Sequence, residues 1–290
     1  MISIVVISKD EPALDTTLAD LGAQARDLGE PAEIVVVDAS QARLDAIRRR
    51  HAAGTRWVAF QQPPGVAVSI PHQRNAGVRE ALGEIVVFTD AGCRPEPGWL
   101  ERLIAPLHQG EHVAAGTALD AAGHLGLYGH VTQPGEQPVY LTECPTINLA
   151  FRREAFDAVG GFDEQFAYGS DVDFSWRLIE AGYRIRSVPD AVIRHDWGSW
   201  RRQLRRSYQY GRARTRLYRK HRHRLRDILR RDPVVVLYPV FLLGLPLALF
   251  FPLYPALLII PAWRNRSRGS VRVVADHLTF GLGVLAELVA

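Results

Sequence analysis

The sequence predicts an α/β protein with a mostly parallel sheet flanked by helices, and three observations carry that prediction. Short runs rich in Val and Ile alternate with helical stretches from residue 1 to about 110. These runs show little polar alternation, as expected of strands buried on both faces. A hydrophobic content of 47% over 290 residues suffices for one large core or two smaller ones.

Residues 2–7 read as the first strand, followed by a helix over 12–28 with Leu14, Leu18 and Leu21 on one face. The second strand is 34–37, with a helix over 42–51 after it. The third is 57–60, then a helix over 71–82 and a fourth strand over 85–89. From 110 to 195 the pattern is less regular. A Gly-rich stretch from Gly116 to Gly135 precedes a strand over 145–151, a short helix over 153–159, a loop at 160–164 and a helix over 171–181. This half is expected to hold a second substrate. The chain opens directly into a strand with no basic leader, so no signal peptide is expected. Cys93 and Cys144 fit no zinc or disulfide spacing and suggest a reducing compartment.

Charge is distributed unevenly. Residues 201–231 carry thirteen arginines and Lys220 against one acid, Asp227, a net +13 in a chain whose total is only +4. A single basic helix is expected over 199–231. Leu204, Tyr208, Gly211, Thr215, Tyr218, Leu225 and Leu229 draw one face and only Arg222 breaks it, a pattern suited to a membrane surface. Residues 233–263 contain no charge at all, which is long enough for one tilted span and too short for two. Pro239, Pro246, Pro252, Pro255 and Pro261 interrupt this run, and Arg264, Arg266, Arg268 and Arg272 follow it. Cations on both flanks favour a broken hairpin with both ends on the cytoplasmic side. The tail, 273–290, reads as a further membrane element or a surface helix. Tyr and Arg interleave in 201–231 as in RNA-binding segments, but the adjoining apolar run favours lipid, so no nucleic-acid partner is expected. The expected organisation is a catalytic domain over 1–200, a basic juxtamembrane helix over 201–232 and a hydrophobic membrane-associated region over 233–290. This places the protein at the cell membrane, on its inner leaflet.

Chemistry-bearing residues fall at element ends. Asp38 closes the second strand and Asp90 the fourth, at the sheet edge where open α/β folds bind ligands. Asp171 and Asp173 begin a helix, and His195 follows the strand 191–194. Singly, each has a plainer reading: Asp38, Asp90 and Asp171 as helix caps, Arg74 as a solvated arginine, His195 as a satisfied loop histidine.

Together they resemble a known pattern. The motifs are Ser8-Lys9-Asp10-Glu11, Val36-Val37-Asp38-x-Ser40, Arg74-Asn75-x-Gly77, and Phe88-Thr89-Asp90-Ala91-Gly92 with Pro95-x-Pro97-Gly98-Trp99-Leu100. They continue through Asn148-Leu149-Ala150-Phe151, Gly160-Gly161-Phe162-Asp163-Glu164 and Asp171-Val172-Asp173-Phe174-Ser175-Trp176 to Val188-Pro189 before His195. In this order the chain, from residue 1 to about 215, resembles a family 2 glycosyltransferase with the Rossmann-like GT-A fold. The resemblance implies a nucleoside-diphosphate-sugar donor bound by Ser8, Lys9, Glu11, Asp38, Arg74, Asn75 and Asp90. It implies Asp171 as the general base, Asn148, Asp173 and Trp176 on the acceptor side, and Asp90 with His195 holding a divalent cation, Mn2+ or Mg2+. Two positions depart from the family pattern: Gly92 replaces the second acid of Asp-x-Asp, and Ser170 replaces the Glu before the base. The expected reaction is inverting transfer of a sugar to an acceptor hydroxyl of a lipid-linked or cell-envelope glycan precursor. The alternatives are transfer to a polyprenyl phosphate and a catalytically silent sugar-nucleotide-binding protein.

Overall fold

The computed structural model of the protein describes residues 1–125, 132–264 and 270–290. Gly126 and Gly129 of the Gly-rich stretch, and the flanking Arg266 and Arg268, lie outside the described residues. Two compact units are present, Met1–Asp196 and Trp197–Ala290.

The first unit runs β1 Ile2–Ser8, α1 Leu14–Asp27, β2 Ala32–Asp38, α2 Asp45–Arg50, β3 Arg56–Ala59, α3 Ile70–Glu80 and β4 Ile85–Asp90. It continues through β5 Arg94–Pro95, α4 Trp99–His108, β6 Val113–Leu119, β7 Tyr140–Leu141, β8 Asn148–Arg152, α5 Arg153–Ala158, α6 Ser170–Glu180 and β9 Ile185–Arg194. One sheet results, in the order β3-β2-β1-β4-β8-β6-β9-β5, with β7 also paired to β9. The first four strands are parallel, as their helical connections require. β8 lies antiparallel between β4 and β6, so the sheet is mixed. No crossover helix stands between β6 and β8 among the described residues, and without one the returning strand runs antiparallel.

Strand order reverses at β1, which has β2 on one side and β4 on the other. The crevice beyond the carboxyl ends of β1 and β4 is therefore a topological switch point, the place where such sheets take ligands. Register sets Ser8 opposite Asp38 and Ile7 opposite Asp90, so these strand ends share one level. Beneath them is an aromatic core in which Phe88, Phe151, Phe156, Phe162 and Phe174 pack with ring centroids 4.4 to 5.9 Å apart. Gly77 lets α3 lie directly on β1, since a Cβ there would stand 2.3 Å from Val5 Cγ1. Any side chain would lift α3, and with it Arg74, away from the sheet.

Pairing of β6 with β9 slips between Gly116 and Thr117, from Val188 to Val192 as partner. Asn148, buried on β8, bridges this irregularity. Its Nδ2 donates to the carbonyls of Thr117 (2.9 Å) and Ala191 (2.8 Å), and its Oδ1 accepts from Trp99 Nε1 at 2.8 Å.

The second unit begins with α7, Trp200–Lys220, capped by the Ser199 hydroxyl. A 3-10 segment, Arg222–Asp227, and α8, Ile228–Arg231, follow. The single helix expected over 199–231 thus stops at Lys220. Next come α9 Val234–Leu243, 3-10 segments at Leu245–Leu249 and Tyr254–Leu258, α10 Ile259–Arg264 and α11 Ser270–Leu288. Among the described residues no helix is long and apolar enough to cross a membrane. The tilted span expected within 233–263 is corrected to short pieces, because prolines break the run.

α11 is the packing partner of α7. Their backbones meet at Gly211 and Gly283, where a Cβ would stand 2.0 Å from the Phe280 or Tyr208 carbonyl oxygen of the other helix. Buried Asp276 accepts a hydrogen bond from the Ser207 hydroxyl. Glu287 pairs with Arg212 at 2.8 Å and Arg216 at 2.7 Å, and Arg214 with Asp232 at 3.0 Å. Several arginines expected to face lipid phosphates therefore answer acids of their own unit.

Candidate active site

β1 ends at Ser8 and turns sharply, with Asp10 in the left-handed region at φ 57. The turn is fixed from both sides. Asp10 takes a two-pronged bond from Arg43 at 2.6 and 2.8 Å, and its N–H donates to Ser40 Oγ at 2.7 Å. Exposed Lys9 donates to Gln62 Oε1 at 2.9 Å. Asp38, buried at the end of β2, accepts from the Ser40 N–H at 3.0 Å and from its hydroxyl. Ser8 Oγ is buried without a hydrogen-bond partner among the described residues. An orphaned hydroxyl at a ligand crevice is one a bound polar molecule could satisfy.

Arg74 lies at the centre. Buried on α3, it stands 5.9 Å from the ring centroids of both Phe88 and Phe162 and donates to Asp90 Oδ1 at 3.2 Å. Its Nε has no partner among the described residues. The same guanidinium acts electrostatically on Asp171, the first acid of α6. Enclosure by protein pushes the Asp171 carboxyl above its usual range; Arg74 and the Val172 N–H pull it back, and Glu143 pushes it further. A carboxylate raised in this way is a better proton acceptor near neutrality.

On the other side of Asp90 the chain turns tightly, the Cys93 N–H donating to the Asp90 carbonyl at 3.1 Å. Arg94 then pairs with Arg194 on β9, which brings Cys93 Sγ to 3.6 Å from His195 Nδ1. Burial, with the Asp90 charge adding to it, pushes the Cys93 thiol up to about 12, so it remains a neutral S–H. The position of the family's second acid is open. A Cβ at Gly92 would stand 3.8 Å from Cγ and 3.9 Å from Cδ of Glu11, so the Glu11 side chain borders the gap.

A hard divalent cation suits this donor set, with a carboxylate from Asp90, an imidazole from His195 and the Glu11 carboxylate beside the gap. No three of these acids and histidines converge on one point among the described residues.

Four expected contact residues are occupied by the protein itself. Asn75 donates to the Phe162 carbonyl and to Glu164 Oε1, each at 2.9 Å, and accepts the Phe162 N–H at 2.9 Å, pinning the 160–164 loop to α3. Asn148 bridges β6, β9 and α4. Fully buried Asp173 pairs with Arg177 at 2.7 Å, and Arg177 in turn donates to the Val159 and Gly161 carbonyls. Trp176 is buried and donates to Glu143 Oε2 at 3.1 Å. The structure thus gathers Arg74, Asp90 and His195 at one sheet edge, with Asp171 in Arg74's field, while the acceptor-side group is internal. Sequence reasoning missed Cys93 and Glu143. Cys93 could have been noticed just past the Asp90 turn, whereas Glu143 carries no local signal.

Asp38 and Asp90 at strand ends on either side of β1, with buried Arg74 donating to Asp90, stand at the switch point of an α/β sheet, where this class of protein takes its ligands. Residues 3–167 match the family described as glycosyl transferase family 2, and residues 112–263 match glycosyl transferase family group 2. The chain belongs to glycosyl transferase family 2. It is 37% identical to the pre-mycofactocin glycosyltransferase of Mycobacterium tuberculosis over 139 residues, 42% of this chain and 29% of that protein. It is also 28% identical to the N-acetylglucosaminyl-diphospho-decaprenol L-rhamnosyltransferase of the same organism, over 63% of this chain and 54% of that protein. The chain therefore spans under two thirds of either relative. Among solved structures it resembles the mannosyltransferase PcManGT from Pyrobaculum calidifontis in complex with GDP-Man and Mn2+. The TM-score is 0.63 at 19% identity, covering 96% of this chain and 86% of that one, and the shared fold is GT-A.

Proposed function

We propose that the protein transfers a sugar from a nucleoside-diphosphate donor to an acceptor hydroxyl with inversion at the anomeric carbon. The observation that carries this reading is the array of Asp90, Arg74 and Asp171 at the switch-point crevice. Asp171 takes the acceptor's proton as its oxygen attacks the anomeric carbon, and its raised carboxyl suits that role. Arg74 faces the growing charge of the departing diphosphate from a fixed, buried position, so little reorganisation is needed as charge develops. A divalent cation, Mn2+ or Mg2+ held by Asp90 and His195, would supply further charge neutralisation at the diphosphate. Ser8, Lys9, Glu11 and Asp38 hold the nucleotide half of the donor. A lipid-linked or cell-envelope glycan precursor is the proposed acceptor, in keeping with the polyprenyl-linked substrate in the rhamnosyltransferase's name. We place the protein at the cell membrane with its first unit on the cytoplasmic side.

The test is Asp171→Asn. Transfer should fall by about 10²- to 10⁴-fold, while donor binding by thermal shift stays within a few-fold. Unchanged turnover would remove Asp171 as base and favour an acceptor that is already an anion, such as a polyprenyl phosphate. Gly92 favours a second reading, a silent sugar-nucleotide binder, and slow donor hydrolysis by the purified protein with Mn2+ would refute it.

A further inference from the structure

The run without charge, residues 233–263, is neither a core segment nor a span. Thirteen large apolar side chains between Leu237 and Trp263 are exposed, among them Leu249 at 83%, Phe250 at 79% and Leu253 at 81%. Scattered exposed leucines need no explanation, but this density in one stretch does. α9 buries Val235, Tyr238 and Pro239 within its own unit while exposing Leu237, Val240 and Leu243.

From these observations we infer that residues 233–263 insert into one leaflet of an anionic bilayer and return without crossing it. The inference rests on the membrane placement proposed above and specifies its mode. The ten residues of α9 make about 15 Å of helix, half of a hydrocarbon core about 30 Å thick. Beyond Leu243 the chain breaks into 3-10 turns, where Pro246, Pro252 and Pro255 prevent a continuing helix.

Hydrocarbon offers no partners for exposed peptide groups. The turns largely bond themselves. Leu247 N–H donates to Gly244 at 2.9 Å, Phe250 to Leu247 at 3.0 Å, Tyr254 to Phe251 at 2.8 Å and Ala256 to Leu253 at 2.9 Å. The prolines have no N–H to leave unpaired, and the Tyr254 hydroxyl donates to the Phe241 carbonyl at 3.0 Å.

Charge selects the occupant. Exposed Arg226, Arg230 and Arg231 precede the run, and exposed Arg264 and Arg272 follow it. A second copy of the chain would bring cationic borders against each other, whereas lipid phosphates complement them.

The full chain, carrying one of Arg231→Cys, Leu249→Cys or Arg264→Cys labelled with an environment-sensitive fluorophore, is mixed with phosphatidylcholine vesicles with or without phosphatidylglycerol. Cys93 and Cys144 are buried and stay unlabelled. The probe at 249 should shift to the blue, be quenched by brominated acyl chains and resist an aqueous quencher. Probes at 231 and 264 should both be quenched from outside, and binding should need phosphatidylglycerol. Phe250→Ala with Phe251→Ala should weaken vesicle partition roughly 100-fold. Vesicle binding with 249 still open to the aqueous quencher would overturn insertion while leaving membrane placement intact. Probes at 231 and 264 on opposite sides would overturn the one-leaflet return. No vesicle binding, or concentration-dependent dimerisation in its place, would end both proposals.

Discussion

Asn148 offers a sharp test of whether the acceptor-side residues brace the fold or face a substrate. Asn148→Ala removes three buried hydrogen bonds at once, stranding the Trp99 N–H and the carbonyls of Thr117 and Ala191 where β6 slips past β9. An unsatisfied buried group costs about 1–3 kcal/mol. With three groups stranded, the total should be roughly 3–9 kcal/mol. That is a large share of the roughly 5–15 kcal/mol that holds a domain together. Urea unfolding of the purified protein, followed by circular dichroism, should show a markedly lower midpoint with little change in slope. The surviving folded fraction should keep its acceptor KM. A loss under about 1 kcal/mol together with a raised acceptor KM would refute the bracing argument and return Asn148 to the substrate.

Two further outcomes follow from the charges. Asp171 must be ionised to accept a proton, so kcat/KM should rise with pH through its elevated titration. Arg74→Gln removes a lowering influence and should move that limb to higher pH, whereas Glu143→Gln should move it lower. A pH–rate series in which both variants shift the same way would refute the assignment. Glu287 behaves oppositely: its arginines hold the carboxyl below its ordinary range. The stability this adds is present above the unfolded value and is lost as pH falls through the depressed folded one. Thermal scans at falling pH should show the second unit weakening in the wild type, and Glu287→Gln should flatten that acid dependence.

The first four strands were legible because buried parallel strands are Val- and Ile-rich, and the edges observed differ from the expected ones by one or two residues at most. β6 was not. Its sequence, Val-Ala-Ala-Gly-Thr-Ala-Leu, consists mostly of small residues that carry no strand signal, yet all seven are buried at the centre of the second half of the sheet. The direction of β8 was equally hidden, because strand polarity depends on how the chain returns and not on composition. At the site, residue types at strand ends were readable, whereas the partners of Asn75 and Trp176 lie far along the chain, and nothing local marks Asp173, paired four residues on with Arg177, as buried. The fate of Arg212 and Arg216 in α7 turned on Glu287, a single acid near the far end of the sequence.

Arg74 and Asn75 are adjacent on α3, and the loop that Asn75 pins leads on to the start of α6, where Asp171 stands. The side chain proposed to face the donor and the proposed base are thus mechanically yoked through two neighbouring residues of α3. With those proposed roles, a substitution that moves α3 near Arg74 should also shift Asp171, so the selectivities for donor and acceptor should prove coupled when either is engineered.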